Sequence, residues 1–158
     1  LDPAQLDHHS ATWTAVGEYK LAPDATRFEF YEASMALRIG LGVAARYALQ
    51  WGLPAIEERV VGLAARLRTN LSAVPGVTVQ DRGARLSGIV TFTTERHSPI
   101  ELRAQLRAQG IHIWAPGAVS GRLDLESKGL EQVARASVHY YNTEAEIERF
   151  CGAIEQLA

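Results

Sequence analysis

The 158-residue sequence has very few of the residue types on which several classes of protein depend. Its one cysteine, Cys151, excludes an internal disulfide and a cysteine-based metal site. A net charge of -2 gives no basic surface for nucleic acid or for an anionic membrane. No apolar run approaches the roughly 18 residues that span a bilayer, and residues 1–10 are too polar for a signal peptide. We expect a cytoplasmic protein with neither nucleic-acid nor membrane partners.

Lysine is almost as scarce, since only Lys20 and Lys128 accompany fourteen arginines. The sequence also begins at Leu1 rather than at a methionine, and residues 1–26 show no consistent period. We interpret residues 1–26 as a linker from a missing domain and residues 27–158 as one small domain. Trp13 and Tyr19 in the linker are expected to lie against a partner surface, because large apolar side chains are rarely left in water.

Four segments have the features of helices. Residues 33–51 lack proline and are rich in alanine and leucine. A second helix is predicted from Pro54 to the Pro75-Gly76 pair, with an apolar stripe at helical spacing. That stripe consists of Ile56, Val60, Leu63, Leu67, Leu71 and Val74. Capping-box sequences that begin at Ser98 and Thr143 predict two further helices, the last of which ends the chain.

Four segments with β-branched or alternating residues predict strands, at residues 77–79, 88–92, 111–114 and 133–138. Residues 115–129 have no sustained period, and we predict a loop there. The order is helix, helix, strand, strand, helix, strand, strand, helix. It predicts an α/β (α+β) domain with a mostly antiparallel four-stranded sheet and helices packed on one face.

Several motifs resemble cofactor-binding or metal-binding sites, but the neighbouring sequence lacks the elements that such sites require. The glycines at 40 and 42 loosely match a dinucleotide-binding fingerprint, but no strand precedes them, so close helix packing is the better interpretation. The histidines lack carboxylate or cysteine partners at ligand spacing, and we predict no metal site. Cys151 lies within the last predicted helix, where we expect it to pack in the core.

Arg135 is the side chain most in need of an explanation. It lies within a predicted apolar strand, where a guanidinium requires an anionic partner. One interpretation is a carboxylate of the protein, such as Glu29, Glu32 or Asp124. The other is a bound ligand carboxylate, which the planar fork of arginine can hold through two hydrogen bonds. The residues alone leave both open.

Several blocks of sequence then occur in an order typical of one family. They are RFE at 27–29, IGLG at 39–42, PGV at 75–77, GIVTF at 88–92, ARAS at 134–137 and YYNT at 140–143. In this respect the chain resembles the small C-terminal domain of class V aminotransferase-fold enzymes, which depend on pyridoxal 5'-phosphate (PLP) and have fold type I. The most similar branch contains cysteine desulfurase-like, isopenicillin N epimerase-like and C–S lyase-like proteins.

The resemblance implies a homodimeric enzyme in which an N-terminal large domain carries the Schiff-base lysine and a small domain closes over PLP. In that family the arginine of the ARAS block binds the α-carboxylate of the amino-acid substrate, a role that falls on Arg135. Glu32 stands where the family has a threonine that reaches the PLP phosphate of the neighbouring subunit. Since a carboxylate would repel the phosphate, we assign this cofactor contact to Ser34 instead.

Two departures from the family limit what the chain can do. Neither Lys20 nor Lys128 follows the pattern of the Schiff-base lysine, so we expect no catalytic residue, no cofactor and no activity in the isolated chain. The desulfurase loop, APGAVSG at 115–121, has no cysteine and cannot form a persulfide. The intact enzyme is then an aminotransferase, an epimerase or a C–S lyase.

The alternative is a free-standing amino-acid-binding or regulatory module, or a dimerisation module, that needs no cofactor. An exposed apolar face around Trp13, Tyr31 and Trp114 would favour the larger enzyme over such a module.

Overall fold

The structure, a computed structural model, describes all 158 residues and divides into two units, residues 1–50 and 51–158. The first unit begins with two short antiparallel strands, β1 (Ala11–Ala15) and β2 (Glu18–Leu21). Gly17 turns the chain between them with a φ of 78°, a conformation that glycine adopts without strain. Residues 1–26, which we interpreted as a linker, therefore contain a β-hairpin.

A 3-10 helix and a long α-helix follow the hairpin. Asp24 caps the 3-10 helix Ala25–Phe28, its carboxylate accepting from the Thr26 N–H at 3.0 Å. Helix α1 spans Met35–Trp51, close to the predicted residues 33–51, and none of its side chains is buried. Many of the exposed side chains are large and apolar, among them Met35, Leu37, Ile39, Leu41, Val43 and Leu49.

The second unit contains a three-stranded antiparallel sheet in the order β3-β4-β5. Its strands are β3 (Val77–Val79), β4 (Ile89–Thr94) and β5 (Ala134–Ser137). Its helices are α2 (Leu53–Ser72), α3 (Pro99–Ala108), α4 (Ala118–Ser127) and α5 (Glu144–Leu157). None of the helices in the protein is long and apolar enough to cross a membrane.

One hydrophobic core joins the sheet to three of these helices. The sheet contributes two directly opposed pairs, Val90 with Ala136 and Phe92 with Ala134, all four of which are buried. Helices α2, α3 and α5 cover this face with the buried side chains Leu63, Leu67, Leu71, Leu102, Leu106, Ile147, Phe150 and Ile154. The predicted α/β (α+β) class, with helices packed on one face of an antiparallel sheet, is confirmed.

Two predicted elements differ from the structure. The strand predicted at residues 111–114 pairs with β5 only through an isolated bridge at Trp114. Its first residue, Ile111, instead donates its N–H to Leu106 O at 2.9 Å, at the end of α3, and so forms no ladder bond with β5.

The loop predicted at residues 115–129 is wrong, because α4 lies there. Gly121 interrupts this helix with non-helical dihedral angles, and Val119 and Leu123 are exposed while Leu125 is buried. A helix with a break and without an apolar stripe has no periodic signal in the sequence.

Candidate functional site

Arg135 lies in the middle of a row of three residues that crosses the sheet. Its N–H donates to Trp114 O at 2.7 Å, and its carbonyl accepts from the Trp114 N–H at 3.0 Å. Both main-chain groups of Arg135 therefore point to Trp114. On its other side, Arg135 is opposed to Thr91 of β4. The two residues form a non-hydrogen-bonded pair, the kind of antiparallel pair in which opposed side chains lie closest together.

The row of Thr91, Arg135 and Trp114 lies on the face of the sheet away from the helical core. Side chains alternate along a strand, and Ala134 and Ala136 on either side of Arg135 are buried in the core. Directly opposed residues point to the same face, so Thr91 and Trp114 flank Arg135 there.

The guanidinium of Arg135 has an unused hydrogen-bond donor. Its Nε is buried and has no hydrogen-bond partner in the structure. Asp124, one of the partner carboxylates we considered, pairs with Lys128 at 2.7 Å, whereas Glu29 and Glu32 belong to the other unit. No side chain of the second unit forms an ion pair with Arg135. Since buried polar groups are nearly always paired, this unpaired donor sets Arg135 apart from the other buried polar groups of the protein.

Thr91 is held in place by the carboxylate of Asp81, in the connection between β3 and β4. Asp81 accepts from the Thr91 N–H at 2.9 Å and from its hydroxyl at 2.5 Å. The same carboxylate pairs with Arg68 Nε of α2 at 2.7 Å. Arg68 also donates to the carbonyls of Ser87 and Ile89 at 2.8 and 2.7 Å. This network of hydrogen bonds holds β4 beside Arg135. No local pattern in the sequence predicts the network.

Trp114, at the other side of Arg135, is fixed by a cation–π contact. The guanidinium carbon of Arg103, on α3, lies 4.3 Å from the centroid of the indole ring. The tryptophan is nevertheless 46% exposed. The indole is thus held in one orientation with part of its surface free.

Ser34 lies in the first unit, at the start of α1. Its hydroxyl accepts from the Leu37 N–H at 3.3 Å, and its carbonyl accepts from the Arg38 N–H at 3.1 Å, so the residue caps the helix. Ser34 and Arg38 line an open cavity of about 700 Å³ together with Glu29 and Glu32. A hydroxyl and a guanidinium there suit a phosphate, whereas the two carboxylates oppose it. The role of Ser34 toward the cofactor stays a prediction.

The two lysines lie in different surroundings. Lys20 is exposed on β2. The Lys128 ammonium pairs with Asp124 four residues earlier, and its side chain is only 6% exposed. No group of three or more histidine, cysteine, aspartate or glutamate side chains in the structure could hold a metal ion.

Cys151 packs in the core, as predicted. It is buried on α5, and this burial raises the pKa of its thiol. A buried thiol with a raised pKa is a poor nucleophile.

Comparison with known proteins identifies the family of the chain. The family model for aminotransferase class V matches residues 5–150. A probable cysteine desulfurase of Mycobacterium leprae is 30% identical over 132 residues, covering 84% of this chain and 21% of that protein. A cysteine desulfurase of Synechococcus elongatus is 30% identical over 135 residues, covering 85% of this chain and 21% of that protein.

Solved structures agree on the fold. A cysteine desulfurase from Thermococcus onnurineus superposes with a TM-score of 0.81 and 26% identity, covering 98% of this chain and 39% of that one. The cystine C–S lyase C-DES gives a TM-score of 0.72 at 21% identity, covering 97% of this chain and 38% of that one. The chain thus spans between about a fifth and two fifths of these relatives. By the family match over most of its length, the chain belongs to the class V aminotransferase family.

Proposed function

We propose that this chain is the C-terminal, substrate-binding part of a larger PLP-dependent enzyme that acts on an amino acid. The observation that carries the proposal is the buried Nε of Arg135, which has no partner in the structure. A carboxylate can accept two parallel hydrogen bonds from a guanidinium, which supplies orientation as well as energy. We assign to Arg135 the α-carboxylate of the substrate.

The residues around Arg135 hold it in place for this task. The pairing with Trp114 fixes its backbone from one side. Thr91, anchored by Asp81, stands on the other side. A carboxylate bound by a fixed guanidinium gives the α-carbon of the amino acid a defined position, which lowers the barrier to a reaction at that carbon.

PLP supplies, when bound, an electron sink for the bonds of the α-carbon. Arg135, with Thr91 and Trp114 beside it, fits the part of such a site that binds the amino-acid substrate. Ser34, which lines the cavity at the start of α1, is our candidate for a contact to the PLP phosphate of a neighbouring subunit. Lys128 is engaged with Asp124, so we assign the lysine that holds PLP to a large domain outside this chain.

We further infer that the reaction is transamination, epimerisation or C–S lysis rather than desulfuration through a protein persulfide. Residues 115–121 contain no cysteine, and α4 begins within them. The only thiol, Cys151, is buried in the core. The relatives are named cysteine desulfurases, whereas the only cysteine of this chain is buried in its core.

The exposed side chains favour a larger enzyme over a free-standing module. Trp13 and Tyr31 in the first unit are exposed, as is Trp114 in the second. These are the side chains for which we expect cover from the large domain or from a second subunit.

The test is kinetic and uses the full-length protein that contains this chain. Its visible absorption spectrum is expected to show a PLP band that borohydride bleaches. Changing Arg135 to Ala is expected to lower kcat/KM for the amino acid about 100-fold or more, because a charged hydrogen-bonded partner is lost. Arg122→Ala is the matched control, since that arginine is exposed and pairs only with Glu126. A colourless protein, or unchanged KM and kcat in the Arg135 variant, would contradict the proposal.

A further inference from the structure

We propose that Trp114 determines which amino acids this enzyme accepts, by stacking against an apolar or aromatic side chain of the substrate. The inference rests on the proposed function, since it requires that Arg135 hold the substrate carboxylate. It adds the substrate class, which that function leaves open.

The first argument is placement. Trp114 and Arg135 exchange both of their main-chain hydrogen bonds, so they are directly opposed and their side chains point to the same face. The Cβ atoms of such a pair lie about 5 Å apart. The side chain of a small amino acid bound through its carboxylate to Arg135 is then within reach of the indole.

The second argument is preorganisation. Arg103 holds the ring from α3 at 4.3 Å, so the indole is already oriented before a substrate arrives. Part of the ring remains open, with the residue 46% exposed. A fixed and partly exposed aromatic surface binds an apolar group with little loss of side-chain entropy.

The third argument is charge. The guanidinium of Arg103 contacts the indole, and Arg135 is the residue directly opposed to Trp114; neither arginine forms an ion pair with a carboxylate in the second unit. A substrate with a cationic side chain is repelled at this position. A small polar side chain gains no contact area on the ring. Aromatic and branched aliphatic amino acids are the class that remains.

The experiment follows the visible PLP band of the full-length protein that contains this chain. L-Phenylalanine, L-leucine, L-alanine and L-serine are titrated in turn, and the change in the band gives an affinity for each. Trp114→Ala is compared with Trp13→Ala, in which an exposed tryptophan of the hairpin is removed instead.

We expect all four amino acids to change the PLP band, and phenylalanine and leucine to bind about three- to tenfold more tightly than alanine and serine. This preference should disappear in Trp114→Ala and persist in Trp13→Ala. Equal affinities, a preference for serine, or a preference that survives in Trp114→Ala overturns the inference while leaving the proposed function intact. A full-length protein whose PLP band changes with none of the four amino acids overturns both.

Discussion

The carboxylate of Asp81 accepts two hydrogen bonds from Thr91, one from its N–H at 2.9 Å and one from its hydroxyl at 2.5 Å. Thr91 is the β4 residue opposed to Arg135. Because Asp81 also pairs with Arg68, one carboxylate joins α2 to the strand beside the candidate substrate site.

Removing this carboxylate should destabilise the fold. The side chains of Arg68 and Asp81 are only 12% and 10% exposed, so Asp81→Ala leaves a nearly buried guanidinium without its carboxylate and with only the carbonyls of Ser87 and Ile89 as acceptors. We expect the free energy of unfolding, measured by urea denaturation, to fall by about 3–5 kcal/mol. The control is Glu57→Ala, which removes the exposed pair with Arg85 and should change stability by about 0–1 kcal/mol. Similar small losses in both variants would show that the Asp81 network has no structural role.

Gly88 is predicted to tolerate no larger residue. A methyl group added there would overlap Val60 Cγ1 and lie 2.7 Å from the carbonyl oxygen of Val138. Gly88→Ala should therefore destabilise the protein by about 1–3 kcal/mol in thermal or urea unfolding. Gly62→Ala, on α2 with open space around the added carbon, is the matched control and should stabilise by up to about 1 kcal/mol. A Gly88 variant as stable as the parent would contradict the packing of α2 against the end of β4.

The ion pair between Arg59 and Glu144 should make stability depend on pH in the acid range. The Arg59 hydrogen bond lowers the pKa of Glu144 from 4.5 to about 2 in the folded protein. A lowered folded-state pKa contributes stability above the unfolded value of 4.5, and this contribution is lost as the pH falls toward 2. Glu144→Gln should be less stable than the parent at neutral pH, and the difference should shrink over this acid window. A stability difference that stays constant down to the lowest pH would refute the assignment.

The thiol of Cys151 should be unreactive in the folded protein. It is buried on α5, and burial raises the pKa of the thiol, so little thiolate is available. An aromatic disulfide reagent should react slowly with the native protein and quickly in urea. Ser120→Cys places a thiol at an exposed position of α4 and should react quickly in both conditions. Rapid reaction of Cys151 in the native protein would remove the main argument against a thiol-based mechanism.

Much of the fold could be predicted because its signals are local. The capping boxes at Ser98 and Thr143 are both present in the structure, with Glu101 and Glu146 as their partners. Strand β3 spans the predicted residues, since its β-branched residues follow directly on a turn. Helix α4 was missed because Gly121 breaks it and only Leu125 of its side chains is buried.

The candidate site was only partly predictable. Arg135 was identified because a guanidinium in an apolar strand is unusual in any context. Its neighbours depend on contacts between distant segments: Arg68 and Asp81 are 13 residues apart, and Trp114 meets Arg135 through a single bridge. A pattern within one element contains no information about such contacts.

The most direct test of the account is whether Arg135 binds a carboxylate. The visible PLP band of the full-length protein is followed during titration with L-phenylalanine and, separately, with 2-phenylethylamine, which lacks only the carboxylate. The account predicts that the protein binds the amino acid more tightly than the amine, and that Arg135→Ala abolishes the difference in affinity between the two compounds. Equal responses to both compounds, or a difference in affinity that remains in Arg135→Ala, would contradict it.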